Sequence, residues 1–164
     1  MNDKDQVKEM FGYQGKAAKL IGPQRLKAYK AAYDHISDMQ KENKLPTHEN
    51  YLGDNELAKN IYEKKYYLKD LECNLIEKSP EDVFKRLASF LATVEGGKIN
   101  QKQWAEKFYN ELYEGRFVSG GRVLAGAGDI YRIKTLANCF VSKIKHDDID
   151  SIYEAAYECA RTYS

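Results

Sequence analysis

Residues 120–144 read GGRVLAGAGDIYRIKTLANCFVSKI, and the organisation of the chain follows from this stretch. Its first part, Gly120–Gly128, is rich in glycine and alanine, so we predict a loop whose backbone closely approaches another group. Its last part, Leu136–Ile144, is a short apolar run, which predicts a half-buried strand. Cys139 therefore stands near the start of the predicted strand, where its thiol would be held in one place.

The residues before this stretch predict helices, preceded by a loosely ordered arm or an irregular lead-in at residues 1–22. Apolar residues at helical spacing predict the helices, and Ser79-Pro80-Glu81-Asp82 is the clearest helix start. The predicted helices run from Pro23 to about Asn43, from an Asp54 cap to about Tyr67, from Ser79 to Gly96-Gly97, and around Trp104, Phe108 and Leu112 to Gly115.

One further helix is predicted after the stretch, with Asp147 or Asp148 as its N-cap. Its predicted buried face consists of Ile149, Ile152, Tyr153, Ala156 and Ala160. This helix shows no C-terminal capping signal, although its last carbonyl groups need hydrogen-bond partners. We therefore expect another polypeptide to complete the fold.

Composition excludes several classes of protein. The formal net charge of +1 over 164 residues argues against a general nucleic-acid binder. The first ten residues lack the apolar core of a signal peptide, and no apolar run approaches the roughly 20 residues that span a membrane. The three cysteines form no CxxC pair and no zinc-binding spacing, so we expect no metal site and a cytoplasmic protein.

Cys139 is the candidate chemical residue, because a thiol fixed at the start of a strand could act as a nucleophile or as half of a redox pair. A free cysteine is more often a small buried hydrophobic residue, and the spacing alone leaves both interpretations open. Cys73 and Cys159 are interpreted as structural or incidental.

The motifs, taken in order, resemble the catalytic large chain of ribonucleotide reductase. The resemblance is strongest in GGRVLAGAG at 120–128 and in NCFV at 138–141, and it is closest to the adenosylcobalamin-dependent branch. Supporting segments are YEKKYYLKD at 62–70, SPEDVFKRLA at 79–88, the element from Trp104 to Phe117, and Asp148–Ala160. Asp129 and Ser119 depart from the family pattern, in which a threonine and a proline are frequent.

The fold that the resemblance implies is mainly α. Residues 1–50 would be a partly helical N-terminal extension, and residues 51–118 the helical N-terminal domain of the reductase. Residues 119–164 would be the first strand and helix of an incomplete α/β barrel, the start of the catalytic barrel.

The activity that the resemblance implies is the reduction of ribonucleoside diphosphates or triphosphates to deoxyribonucleotides by thiyl-radical chemistry. Cys139 falls on one cysteine of the reducing pair, while Ser119, Gly120, Gly121 and Asn138 fall on stretches that line the substrate pocket. Adenosylcobalamin, a complementary C-terminal reductase polypeptide and a thioredoxin-type reductant are implied, and a homodimer is one assembly that the family allows. The other catalytic residues would lie on the complementary polypeptide, so we expect no activity from this chain alone.

Two alternatives stay open. The chain could be a non-catalytic, reductase-derived helical module that binds a partner or occupies a regulatory surface. It could also belong to the di-metal-dependent branch, in which the radical comes from a separate small subunit.

Overall fold

The computed structural model describes residues 10–163, and its secondary structure is helical with no β-strand in that range. The helices Pro23–Lys41, Pro80–Leu91 and Lys98–Tyr113 each carry a buried apolar face. In chain order the elements are α1 (Lys16–Ile21), α2 (Pro23–Lys41), α3 (Glu56–Ile61) with a π-helical turn (Tyr62–Tyr66), α4 (Pro80–Leu91) with a 3₁₀ turn (Ala92–Val94), α5 (Lys98–Tyr113), α6 (Gly121–Gly126) and α7 (Ile149–Tyr163).

The larger hydrophobic core lies where α2, α4 and α5 pack on one another. Ile36 from α2, Leu87 from α4 and Tyr109 from α5 are completely buried in it. Burying such a side chain contributes about 1.5–3 kcal/mol. This three-helix contact is the scaffold on which the shorter elements rest.

A second core surrounds Tyr29 and Tyr33 of α2, and it includes Ile130 from the segment after α6. The ring of Phe11 packs edge to face on Tyr29, with ring centroids 4.8 Å apart. Residues 10–22 are therefore packed and partly helical, and the predicted loose arm is wrong over this range, because the sequence gives no sign of these distant aromatic partners. Residues 1–9 lie outside the described residues.

Both cores combine residues from before and after position 50. The division of the chain at residues 50 and 118 remains a prediction.

The predicted helix starts and ends are correct where a local signal sets them. The hydroxyl of Ser79 accepts the Asp82 amide at 3.3 Å, and Pro80 occupies the first turn of α4. Gly115, with φ +68°, follows the end of α5 as predicted. Elsewhere the boundaries differ. Asn55 rather than Asp54 caps α3. Gly96-Gly97 was predicted to end α4, but α4 and its 3₁₀ turn already end at Val94, and Gly97 is the N-cap of α5.

Three predictions for residues 119–163 differ from the structure. Gly121–Gly126 forms α6 where a loop was predicted, because the distant side chain of Arg86 donates to backbone carbonyls at its C-terminal end. Residues 136–144 form no strand, since a strand needs a neighbouring strand for its N–H and C=O groups, and residues 10–163 supply none.

The third difference is the outer face of α7. Asp148 caps this helix by accepting the Ser151 amide at 2.7 Å, as predicted. Ile149 and Tyr153, however, are about 70% exposed (69% and 71%) rather than buried. No element within residues 10–163 covers them, so the helix has the sequence of a packed element without its packing partner.

Candidate functional site

The glycine-rich helix α6 is held by one buried side chain, Arg86 of α4. Its guanidinium donates to the carbonyl of Ala127 at 2.5 Å and to that of Leu124 at 2.8 Å. It also donates to the carbonyl of Tyr66 at 3.1 Å. Because the last carbonyl groups of a helix lack partners within the helix, these bonds satisfy the C-terminal end of α6. Arg86 thereby fixes α6 to the segment that ends at Tyr66.

Glu77 neutralises Arg86 inside the protein. One carboxylate oxygen accepts from Arg86 Nε at 2.7 Å, and the other accepts from Nη2 at 3.3 Å and from the Leu68 amide at 2.8 Å. Burial raises the pKa of Glu77, and the Arg86 guanidinium opposes that rise. A buried charge is tolerated only when it is paired and hydrogen-bonded, and this pair meets both conditions.

Gly128 packs directly against the same arginine. Its backbone has φ +78°, and a Cβ atom there would lie 2.9 Å from Arg86 Cγ and from Tyr29 Oη. The Tyr29 hydroxyl donates to the Gly128 carbonyl at 3.3 Å. Burial is the main cause that raises the pKa of Tyr29 well above its ordinary value, so this hydroxyl stays a donor. Glycine is required here by both the backbone angle and the lack of space.

Asp129 closes the turn that follows. One of its carboxylate oxygens accepts the amides of Tyr131 and Arg132 at 2.8 and 3.0 Å. The other lies 2.8 Å from the ammonium of Lys134, which also donates to the carbonyl of Ala125 at 3.0 Å. The aspartate therefore has a structural role on this chain.

Four of the five predicted site residues lie around the N-terminal end of α6. A Cβ atom on Gly120 would lie 3.5 Å from Asn138 Nδ2, although eighteen positions separate the two residues. A Cβ atom on Gly121 would lie 3.5 Å from the hydroxyl of Tyr66. The hydroxyl of Ser119 is buried and has no hydrogen-bond partner within residues 10–163. Gly120, Gly121 and Asn138 are exposed to solvent, so this end of the helix is accessible to a ligand.

Cys139, the fifth predicted residue, follows Asn138 on an exposed segment. Its thiol is free, as are those of Cys73 and Cys159. Cys139 follows Asn138, whose side chain lies beside Gly120. The thiol of Cys139 is exposed and does not lie in a strand, in contrast to the prediction.

Sequence reasoning missed Arg86, Glu77 and Tyr66. A signal for Arg86 was present, because it lies three residues after Val83 on the apolar stripe of α4, where a charge needs a buried partner. Glu77 and Tyr66 carried no such local signal, since their roles depend on contacts with Arg86.

A groove of about 150 Å³ lies on another side of the glycine-rich segment, between α1 and Gly126–Asp129. Its walls are mostly apolar and include Leu20, Phe90 and Leu136. None of the five predicted site residues lines it, so the groove is distinct from the group at the start of α6.

One family model matches the middle of the chain. Residues 52–131 match the family model "Ribonucleotide reductase, all-alpha domain". This match supports a ribonucleotide reductase large chain. It covers just under half of the chain, from the segment before α3 to Tyr131. No curated protein and no solved structure matches the chain.

The reductase match includes Glu77, Arg86 and the Ser119–Gly121 segment, but it stops before Asn138 and Cys139. The mainly helical structure agrees with an all-alpha reductase domain. The cobalamin-dependent branch and the barrel strand are not tested by this match and remain proposals.

Two further properties bear on partners. The part of the chain that the structure describes contains no group of three His, Cys, Asp or Glu side chains arranged to hold a metal ion. Among the same residues, no helix has the length and apolar character needed to cross a membrane.

Proposed function

We propose that this chain is the N-terminal part of a ribonucleotide reductase and takes part in the reduction of ribonucleotides to deoxyribonucleotides. The observation that carries the proposal is the reductase match over residues 52–131, which reaches the glycine-rich segment at α6. The exposed backbone at Gly120 and Gly121, next to Asn138 and the unpartnered Ser119 hydroxyl, supports a substrate contact at this point.

Cys139 is proposed as one of the two reducing thiols. In the net reaction two thiols become a disulfide, the 2′-hydroxyl of the ribose leaves as water, and a hydrogen replaces it. The second thiol would come from the complementary polypeptide, and a thioredoxin-type reductant would reduce the disulfide after each turnover. The free and exposed state of the Cys139 thiol is compatible with this exchange.

The complementary polypeptide is proposed to cover the exposed apolar surface of residues 136–163. Val141 is fully exposed, and Phe140 and Ile144 are more than half exposed. Together with Ile149 and Tyr153 of α7 they form apolar surface of the kind that marks a protein–protein contact. With that partner, residues 136–144 and α7 would become the first strand and helix of an α/β barrel.

Adenosylcobalamin is proposed as the radical source, bound by the complementary polypeptide. We assign no step to the cofactor on this chain. The di-metal branch remains the alternative source. Diphosphate and triphosphate substrates are both compatible with the proposal, as are a homodimer and a cytoplasmic location.

A second candidate function is a non-catalytic module derived from a reductase. The observation in its favour is that the family match ends at Tyr131, before Cys139. Such a module would bind the complementary polypeptide without supplying a reducing thiol.

Co-expression tests both functions. The chain is purified through a tag, and the polypeptide that co-purifies is identified. Deoxyribonucleotide formation is then measured with a dithiol and with either adenosylcobalamin or a di-metal small subunit as the radical source. The proposal expects turnover by the complex and none by either chain alone. Absence of deoxyribonucleotide from the complex under either radical source would contradict it and support the non-catalytic module.

A further inference from the structure

Arg86 connects two parts of the chain that meet at the predicted substrate contact. Its side chain is completely buried, yet its guanidinium donates to carbonyls of Tyr66, Leu124 and Ala127. Leu124 and Ala127 are 38 and 41 positions away along the chain. These bonds involve the backbone and are therefore independent of the side chains at those positions.

The two parts held by Arg86 also face each other at the start of α6. The Tyr66 hydroxyl lies 3.5 Å from where a Cβ of Gly121 would be. Arg86 holds the carbonyl of that same tyrosine and, through Leu124, the backbone of the helix that Gly121 begins. The guanidinium therefore joins the segment of Tyr66 to the helix of Gly121 by hydrogen bonds, in addition to the apolar packing of Tyr66, Val123 and Leu124 in the larger core.

The geometry of the pair favours a single orientation. The planar guanidinium presents its N–H groups in a fixed fork, and Glu77 accepts from both Nε and Nη2. A lysine could replace the charge, but it could not reach the three carbonyls and the carboxylate in this arrangement. Orientation, more than charge, is what Arg86 supplies.

We propose that Arg86, oriented by Glu77, is a positioning residue for the substrate-facing end of α6. Arg86 does not touch the substrate. It sets the separation of Tyr66 and Gly121 and holds the backbone from Gly120 to Gly128 in the form that presents Gly120 and Asn138 to a ribonucleotide. This inference rests on the proposed function, since it assigns the substrate to that end of the helix.

The test compares Arg86→Lys with Arg116→Lys in the full chain. Arg116 is a matched control, because it also forms a two-point ion pair, with Glu111, but at the exposed surface. Hydrogen exchange of the amides in residues 119–129 is expected to accelerate about tenfold or more in Arg86→Lys, because charge-assisted hydrogen bonds are lost. The same amides are expected to exchange at the wild-type rate in the control. Amides of α5 should keep their protection in both variants.

The second readout separates positioning from stability. In the complex with the complementary polypeptide, Arg86→Lys is expected to raise KM for the ribonucleotide about fivefold or more, with kcat within about twofold, because the binding backbone is displaced. If Arg86→Lys does not fold, Glu77→Gln replaces it, since it keeps the arginine and the shape of the pair while weakening its orientation.

Three results would overturn the inference. Unchanged exchange in residues 119–129 would show that Arg86 does not hold the segment. A lower melting temperature with unchanged KM and kcat per folded enzyme would show a packing role only. A wild-type complex that neither binds nor reduces ribonucleotides would refute the proposed function and the assignment of substrate to this site, while the exchange result would still decide whether Arg86 holds α6.

Discussion

Replacing Gly128 by alanine should destabilise the chain more than the same change at a glycine that has a positive φ but open space around it. At φ +78° a residue with a Cβ costs about 1–2 kcal/mol. The Cβ would also lie 2.9 Å from both Arg86 Cγ and Tyr29 Oη. Neither group can move freely, because both are buried and hydrogen-bonded, and overpacking of this kind costs about 1–3 kcal/mol.

The expected loss is therefore about 2–5 kcal/mol in the free energy of unfolding. Gly115→Ala is the matched control, because Gly115 has a similar φ of +68° but no atom within 4 Å of the position that a Cβ would take. Only the backbone term of about 1–2 kcal/mol applies there. Urea unfolding with a slope of about 2 kcal/mol per molar should show the Gly128 midpoint about 0.5–1.5 M below that of the control. Equal midpoints for the two variants would refute the close packing of Gly128 on Arg86 and Tyr29.

Three further predictions concern the buried tyrosines, the cap of α4 and the exposed face of α7. Burial raises the pKa of Tyr67 to about 12 and those of Tyr29 and Tyr33 well above the ordinary value of 10.0, so the fold is most stable while these phenols are neutral. The free energy of unfolding should stay constant up to about pH 10 and fall as the pH rises toward about 12. Urea midpoints measure this free energy, and tyrosinate absorbance follows the titration of the phenols. Titration of all tyrosines near pH 10 in the folded chain would contradict this prediction. Ser79→Ala should cost about 1 kcal/mol through loss of the cap on α4, and an unchanged urea midpoint would show that the Asp82 amide needs no such partner. Tyr153→Glu should change the stability of the chain alone by less than about 0.5 kcal/mol but weaken binding of the complementary polypeptide, and unimpaired co-purification would show that α7 is not part of that interface.

Local signals in the sequence were sufficient where the structure is local. The start of α4 at Ser79 and Pro80 needs only a hydroxyl, a proline and the next amides, and all three are adjacent in sequence. The same is true of Asp148 at the start of α7. Helical spacing also identified the buried faces of α2 and α4. On α5 the predicted face is only partly correct, because Leu112 is buried but Trp104 is 38% exposed, and Ala105 and Tyr109 are buried instead.

The rest depends on contacts between distant residues. Gly120–Gly128 was predicted as a loop because of its glycines, but Arg86 stabilises a short helix in it from 38 and 41 positions away. The predicted strand at 136–144 requires neighbouring strands, which residues 10–163 do not provide. The site was predicted only in part for the same reason. The sequence motif indicated the residues proposed to contact the substrate, whereas Arg86 and Glu77, which hold the helix, were identified only from the structure.

The central claim is that Cys139 is a reducing thiol of a ribonucleotide reductase, and a set of single cysteine replacements tests it most directly. Cys139→Ser, Cys73→Ser and Cys159→Ser are each compared with the wild type in the complex with the complementary polypeptide. All three thiols are free and exposed, so stability should change little in each case. We predict that dithiol-dependent deoxyribonucleotide formation is lost in Cys139→Ser and retained in the other two. Retention of that turnover in Cys139→Ser would contradict the claim.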